Sequence, residues 1–153
     1  TVRRVPNEPG MAAKVFTLLA EAGVNVDMIV QASASTGTAD ISFTVPGSAA
    51  AKVRDVLQEK QDELGYQSFD IDANVGKVAV VGVGMKTHSG LAAKFFNALS
   101  DEGVNVLMIS TSEIRIAALV PLEQLQDAVR ALHTAYGLDA EQVEAVVYGG
   151  TGR

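Results

Sequence analysis

The amino-acid sequence predicts an α+β fold made of two copies of one βαββαβ module. The first observation that predicts it is a gap-free internal repeat. Residues 7–31 and 87–111 are offset by 80 positions and are identical at 12 of 25 of them. The second is the order of apolar patterns, which is strand, helix, strand, strand, helix, strand in each copy. The chain therefore divides into a module at 1–74 and a second at 75–153.

The first copy opens with a short apolar segment, and its first helix is indicated by apolar residues at helical spacing. Gly23 and Gly65 follow the two helical segments and are predicted helix stops. A β-branched run follows Gly23, and a later strand-like run ends in proline. The predicted strands are 1–6, 24–30, 39–46 and 67–71, and the predicted helices begin at Gly10 and span 48–64.

The second copy repeats this order with a more obvious opening strand, KVAVVGVGM. Its helices are predicted to stop at Gly103 and Gly137, the counterparts of the first copy's glycines. The predicted strands are 77–85, 104–110, 113–121 and 144–148, and the second helix spans 122–136.

This order is that of the ferredoxin-like split βαβ pattern, an antiparallel four-stranded sheet with two helices on one face. The other sheet face must then be polar or covered. Modules of about 75 residues are marginal alone, so we expect pairing within the chain and between chains.

Composition excludes several classes of function. The formal net charge is −6 and no run of Lys or Arg occurs, which argues against nucleic acid and anionic membrane surfaces. No apolar run reaches the length of a spanning helix. The chain has no cysteine, which excludes disulfides and thiolate chemistry. A cytoplasmic protein without a cofactor or metal is expected.

Few residues in the sequence are candidates for a catalytic role. His133 lies on a predicted amphipathic helix without a nucleophile nearby, and His88 is matched in the first copy by Glu8. The loop Gly82–Gly90 begins like a phosphate loop but fails the G-x-G-x-x-G spacing. We expect no catalytic residue, and a small nucleotide-using enzyme built on this loop remains the alternative.

The informative feature is the duplicated junction between loop and helix. Gly10 and Gly90 start the two helices, where unpaired N–H groups and the helix dipole favour a carboxylate. The repeated GVNV places Asn25 and Asn105 in strands that disfavour asparagine, which suggests a polar role. A free α-amino acid fits such a pocket, with its ammonium near Asp27 or Glu113. The alternative is that these residues only build the turn. We interpret the junction as an effector site.

The motifs PGMAAKVF, GVNVDMIVQ, TADISFTVP, GKVAVVGVGMKTHSG, MISTSEIRI and VVYGGTGR resemble the tandem ACT domains of aspartate kinase over essentially the whole chain. The resemblance is nearest to the separately translated regulatory (beta) subunit, which lacks the catalytic domain. It implies a homodimer in which copy one of one chain meets copy two of the other. It also implies feedback inhibition by threonine and/or lysine, and a catalytic (alpha) subunit as partner. The second module is implied to be inserted in the first, so that 144–148 could complete module one.

The resemblance also implies two effector pockets. The first is lined by Asn7, Pro9, Gly10, Ala12 and Gln31 of one copy and Asn105, Thr111, Ser112 and Glu113 of the other. The second is lined by Met85, Thr87, His88, Gly90, Leu91, Asn25, Val26 and Asp27.

The sequence departs from the family pattern at several of these places. The family usually has Asp at Asn7, Pro at Ser89 and an acid at Leu107, and the turn after Gln31 is about two residues shorter here. These departures bear on which amino acid binds. A stand-alone ACT sensor without a kinase partner is the alternative function.

Overall fold

A computed structural model describes residues 1–82 and 90–137, and the backbone of 144–148. It divides the chain into two compact units, with the boundary between Ala73 and Asn74. Each unit contains a four-stranded antiparallel sheet with helices, so the predicted α+β class is confirmed. Among the described residues, no helix is long and apolar enough to cross a membrane.

The first unit follows the predicted order. Its strands lie in the sheet order β2-β3-β1-β4. They are β1 (Val2–Pro6), β2 (Ile29–Ser33), β3 (Thr38–Phe43) and β4 (Ser68–Phe69). Its helices are α1 (Met11–Glu21), α2 (Ala50–Glu59) and the single turn α3 (Gln61–Leu64).

The second unit has the same topology, in the sheet order β6-β7-β5-β8. Its strands are β5 (Val75–Val81), β6 (Met108–Thr111), β7 (Arg115–Pro121) and β8 (Glu144–Tyr148). Its helices are α4 (Leu91–Asp101) and α5 (Leu125–Tyr136). β2 and β6 are therefore edge strands at matching positions of the two sheets.

One expectation is wrong: the strand at 144–148 does not complete the first module. β8 pairs antiparallel with β5, from Lys77 opposite Tyr148 to Val81 opposite Glu144. In the first unit, β4 pairs with Val2 and Arg3 of β1. β1 then has a neighbour on both sides, so this sheet has no central position left for another strand.

Each sheet packs one face against its helices, and the side chains that meet there form the unit's core. In the first unit these are Val15, Leu19, Val53 and Leu57 of the helices and Val2, Val5 and Ile41 of the sheet. In the second they are Phe95, Leu99, Ala128 and Leu132 of the helices and Val78, Val80 and Ile116 of the sheet. Burial of each large apolar side chain stabilises by about 1.5–3 kcal/mol.

The predicted element boundaries shift where tertiary contacts intervene. β2 and β6 begin at Ile29 and Met108 rather than at 24 and 104. The chain first crosses from helix to sheet, and the Val24 and Val104 N–H groups still bond carbonyls of the preceding helix. Asn25 and Asn105 consequently lie in links before the strands, which corrects their predicted place.

The sheet face away from the helices differs between the units. In the first it is polar: Arg3 pairs with Asp40 and Asp70, and the Thr1 and Ser42 hydroxyls lie 2.8 Å apart. In the second, Lys77 is buried, with an exposed fraction of only 4%.

Candidate functional site

The N-terminal ends of α1 and α4 have the same backbone conformation. Gly10 and Gly90 precede them with φ of 91° and 88°, a left-handed conformation that glycine adopts without steric cost. Among the described residues, no side chain caps either helix and no acidic residue lies in either first turn. A Cβ atom at either glycine would have no neighbour within 4 Å in the part of the chain that the structure describes. The start of α1 therefore presents backbone N–H groups that an anionic group can approach, and α4 starts in the same backbone conformation.

A neutral polar cluster, formed by Asn7, Gln31 and Ser33, lies just before α1. The Asn7 amide nitrogen Nδ2 donates to Ser33 Oγ at 3.3 Å, and Gln31 Nε2 donates to Asn7 Oδ1 at 3.4 Å. The Asn7 backbone N–H donates to the Gly37 carbonyl at 3.0 Å, which holds the loop against the sheet. The cluster is exposed and carries amide and hydroxyl groups without formal charge.

Two more residues of the predicted first pocket frame this cluster. Pro9 is exposed in the loop that leads to Gly10, and Ala12 is half-buried against the core. The Glu8 carbonyl accepts the Met11 N–H at 3.2 Å, which tightens the loop at the helix start. The structure thus brings together the five predicted residues of the first unit, from Asn7 to Gln31.

The residues Asn25, Val26 and Asp27 lie at the other end of that unit, beyond the C-terminus of α1. A helix of 11 residues separates the two ends by about 16 Å. The Asp27 N–H donates to the Thr44 carbonyl at 3.0 Å, and Asn25 is exposed. One unit therefore does not bring these residues together with Asn7, and their assignment to a second pocket stays a prediction.

Gln124 holds the link that contains Asn105, and sequence reasoning missed it. The Asn105 N–H donates to Gln124 Oε1 at 2.9 Å, and Gln124 Nε2 donates to the Gly103 carbonyl at 3.1 Å. Gln124 ends a 3-10 turn that follows Pro121. Ala49 ends the matching turn after Pro46, so the two copies differ at this position. That difference is the signal in the sequence by which Gln124 could have been found.

Thr111, Ser112 and Glu113 run from the end of β6 into the turn before β7, and all three are exposed. The Ser112 N–H donates to the Arg115 carbonyl at 2.7 Å, and Ser112 Oγ accepts the Ile114 N–H at 3.4 Å. Their hydroxyl and carboxylate groups lie in a short, hydrogen-bonded turn.

Leu91, the first residue of α4, is tied to the last helix of its unit. Its carbonyl accepts the Tyr136 hydroxyl at 2.6 Å, and burial raises the pKa of that phenol. The Lys94 ammonium lies 5.0 Å from the centre of the Tyr136 ring, within the range of a cation–π interaction.

Three predicted site residues, Met85, Thr87 and His88, lie outside the described residues, as do all other residues between Gly82 and Gly90. His133 is exposed on α5. In the part of the chain that the structure describes, no group of three or more His, Cys, Asp or Glu side chains could hold a metal ion.

Large apolar side chains are exposed on or beside the edge strands. Ile29 of β2 has an exposed fraction of 51% and Ile109, its repeat counterpart on β6, of 48%. Leu107, just before β6, is exposed by 48%. Exposed apolar residues beside unpaired strand edges are typical of an association surface.

The chain resembles known proteins in sequence and in structure. The family model described as ACT domain matches residues 3–61 and 78–136. The aspartokinase of Corynebacterium glutamicum is 46% identical over the whole of this chain, and that of Mycobacterium tuberculosis is 43% identical. The chain spans 37% of the length of these relatives.

Solved structures of separate subunits match the chain over most of both lengths. A crystal structure of aspartokinase alpha and beta subunits is similar with a TM-score of 0.82 and 44% identity, over 89% of each chain. The ligand-free regulatory subunit of aspartate kinase from Thermus thermophilus has a TM-score of 0.80 and 37% identity, over 88% of this chain and 89% of that one.

Proposed function

The chain belongs to the ACT domain family, and from that premise we propose that it is the non-catalytic regulatory part of an aspartate kinase. The proposal is that it binds a feedback amino acid, threonine and/or lysine, and thereby inhibits phosphorylation of aspartate by a catalytic subunit. Its similarity to regulatory-subunit structures over nearly their full length supports this role.

The observation that carries the proposal is the pair of helices that start after left-handed glycines, Gly10 and Gly90. The α-carboxylate of an amino acid would accept hydrogen bonds from the backbone N–H groups of the first helical turn. Beside Gly10, the Asn7 and Gln31 amides and the Ser33 hydroxyl would contact the rest of the effector. These neutral groups suit a polar effector side chain such as that of threonine.

We further propose that the pockets are completed at interfaces in a homodimer, where copy one of one chain meets copy two of the other. Exposed Ile29, Leu107 and Ile109 on the edge-strand side support an association surface there. An effector that binds one dimer arrangement better than another shifts the equilibrium between them. A coupling of about 1–3 kcal/mol changes affinity about 5- to 150-fold.

Calorimetry and sedimentation with each amino acid test this function. We expect heat and a rise in mass on addition of L-threonine or L-lysine to the 153-residue chain, and none with D-threonine. Gln31→Ala should weaken binding about tenfold, whereas Gln58→Ala, an exposed glutamine on α2, should not. No heat and no change of mass with either amino acid would contradict the proposal.

A second assay addresses the partner. The chain should co-purify with an aspartate kinase catalytic subunit and make it sensitive to the effector. Effector binding without co-purification would favour a stand-alone ACT sensor. Binding of ATP by the isolated chain would instead favour a nucleotide-using enzyme.

A further inference from the structure

β1 contains a bulge, and the bulge determines which face of the sheet Asn7 lies on. Val2 pairs with Ile41 and Val5 with Ala39, so three steps along β1 match two along β3. Val2 and Val5 are both buried in the same core, with exposed fractions of 0% and 1%. Side chains three positions apart in a regular strand point to opposite faces, so this burial requires one extra residue.

The same register shift in β1 determines on which side of the sheet Asn7 lies. Gln31 and Ser33 pair with Ile41 and Ala39, so they lie on the helix side of the sheet. Asn7 follows Val5 by two positions and reaches that side, where it contacts both residues. Without the bulge, every residue of β1 after it would turn to the other face.

The bulge is strained at Arg4. Its φ is 55°, and it is the only residue other than glycine with a positive φ among residues 1–82, 90–137 and 144–148. A non-glycine residue in this conformation carries a steric cost, and it persists where the surroundings hold it.

The group that holds it is Asp40. The Arg4 N–H, which the bulge removes from the strand ladder, donates to Asp40 Oδ1 at 2.9 Å. The other oxygen, Oδ2, lies 3.7 Å from the Arg3 guanidinium. Asp40 alternates with the buried Ala39 and Ile41, so it lies on the opposite face from the Asn7 cluster.

The described part of the second unit has no such bulge and no carboxylate at the matching position. The pairing of β5 with β7 is unbroken from Val75 to Val81, and the Gly82 N–H continues it by donating to the Ile114 carbonyl at 2.8 Å. Arg115 stands where the first unit has Asp40. The strand pairing identifies Arg115 as the counterpart of Asp40. Ile41 pairs with Val2 and Ile116 pairs with Val80, and Asp40 and Arg115 each come directly before that isoleucine.

We propose that Asp40 is a positioning residue for the effector site of the first unit, which it controls through the Arg4 bulge without touching the effector. This inference rests on the proposed function. It predicts that the affinity for the effector depends on the hydrogen bond from the Arg4 N–H.

Titration calorimetry with L-threonine and L-lysine on the 153-residue chain tests it. Asp40→Ala should weaken binding about tenfold. Asp40→Asn should stay within about threefold of the wild type, because its amide oxygen can accept the same N–H. Asp70→Ala is the matched control: it removes the other carboxylate that bonds Arg3, at 2.6 Å, and should leave affinity within about twofold.

A double variant separates positioning from a general loss of stability. In the Arg4→Gly background the bulge needs no restraint, so Asp40→Ala should then change affinity less than about threefold. Unchanged affinity in Asp40→Ala alone, or an equal loss in both backgrounds, would overturn the proposal.

Hydrogen exchange distinguishes a failure of this inference from a failure of the function. The Asn7 N–H, bonded to the Gly37 carbonyl, should exchange about tenfold faster in Asp40→Ala and normally in Asp70→Ala. If the wild type binds neither amino acid, the effector function fails, and this exchange still decides whether Asp40 holds the loop. Equal exchange in wild type and Asp40→Ala would refute the positioning role.

Discussion

Two residues of the first unit, Arg4 and Asn7, lie in or just before the loop that leads to α1. Arg4 adopts a conformation that suits glycine, and Asn7 presents an amide where the family resemblance implies a carboxylate. Arg4 affects the energy of the fold, whereas Asn7 affects the charge that an effector meets. Each can be tested by a single substitution.

Arg4→Gly should stabilise the chain by about 0.5–1 kcal/mol. It removes a steric cost of about 1–2 kcal/mol, offset in part by the greater backbone entropy that glycine loses on folding. Urea unfolding measures the change, and Arg3→Gly serves as the control. Arg3 has no positive φ and makes ion pairs, so that variant should not stabilise. An equal effect of both would contradict the strain at Arg4.

Asn7→Asp should strengthen binding of a free amino acid by roughly three- to tenfold. A carboxylate at this position can attract the effector's ammonium group, and hydrogen bonds to a charged group are about twice as strong as neutral ones. It can still accept the Gln31 amide. Calorimetry at low and at high salt checks the result, because the gain should shrink with salt. A loss of affinity at both would show that the ammonium lies elsewhere.

At the scale of elements, the two copies connect a strand to the following helix in the same way. A strand ends at or near a proline, Pro46 or Pro121, and a 3-10 turn precedes the helix. The prolines can be read in the sequence, and they locate both helices to within three residues at their starts. The break at Lys60 between α2 and α3 was not predicted, because the pattern of apolar residues continues across it.

Tyr136 makes the last helix of the second unit sensitive to alkaline pH. Burial raises the pKa of its phenol in the folded state above the ordinary value of about 10. The protonated form is therefore favoured by folding, and its contribution is complete below pH 10 and is lost as the pH rises above it. We expect the free energy of unfolding to fall above about pH 10.

Tyr136→Phe should lower stability at pH 7 by about 1 kcal/mol, because the hydrogen bond to the Leu91 carbonyl is lost. It should also make the fall above pH 10 less steep. Chemical unfolding at pH 7, 9 and 10.5 measures both effects. Tyr66, whose pKa burial also raises, remains in this variant and accounts for residual pH dependence. An unchanged alkaline slope would contradict the role of Tyr136.

At the scale of the molecule, duplication gives each sheet an edge strand at the same position with an exposed isoleucine. Ile29 and Ile109 occupy the same place in the repeat, although the residues around them differ. Charged residues on a strand edge oppose edge association. The repeat thus offers a direct test of whether the edges support the proposed homodimer.

The double variant Ile29→Lys/Ile109→Lys should weaken self-association by at least tenfold, with little loss of monomer stability, because both side chains are already about half exposed. Sedimentation with and without effector measures this. Thr17→Lys adds a charge on the exposed side of α1 and should leave association unchanged. Equal weakening by Thr17→Lys would point to an interface through the helices.

The sequence by itself determined the duplication, the α+β class, the order of strands and helices, and the two glycine-led helix starts. These features depend on local periodicity and on the repeat, both of which can be read along the chain. Only the tertiary structure decided which of its two expected places β8 takes, that Gln124 holds the Asn105 link, and that Asp40 restrains the bulge at Arg4. These depend on which backbone groups meet across a sheet. Strand pairing joins residues that are distant in the chain, and a one-residue bulge changes every contact that follows it.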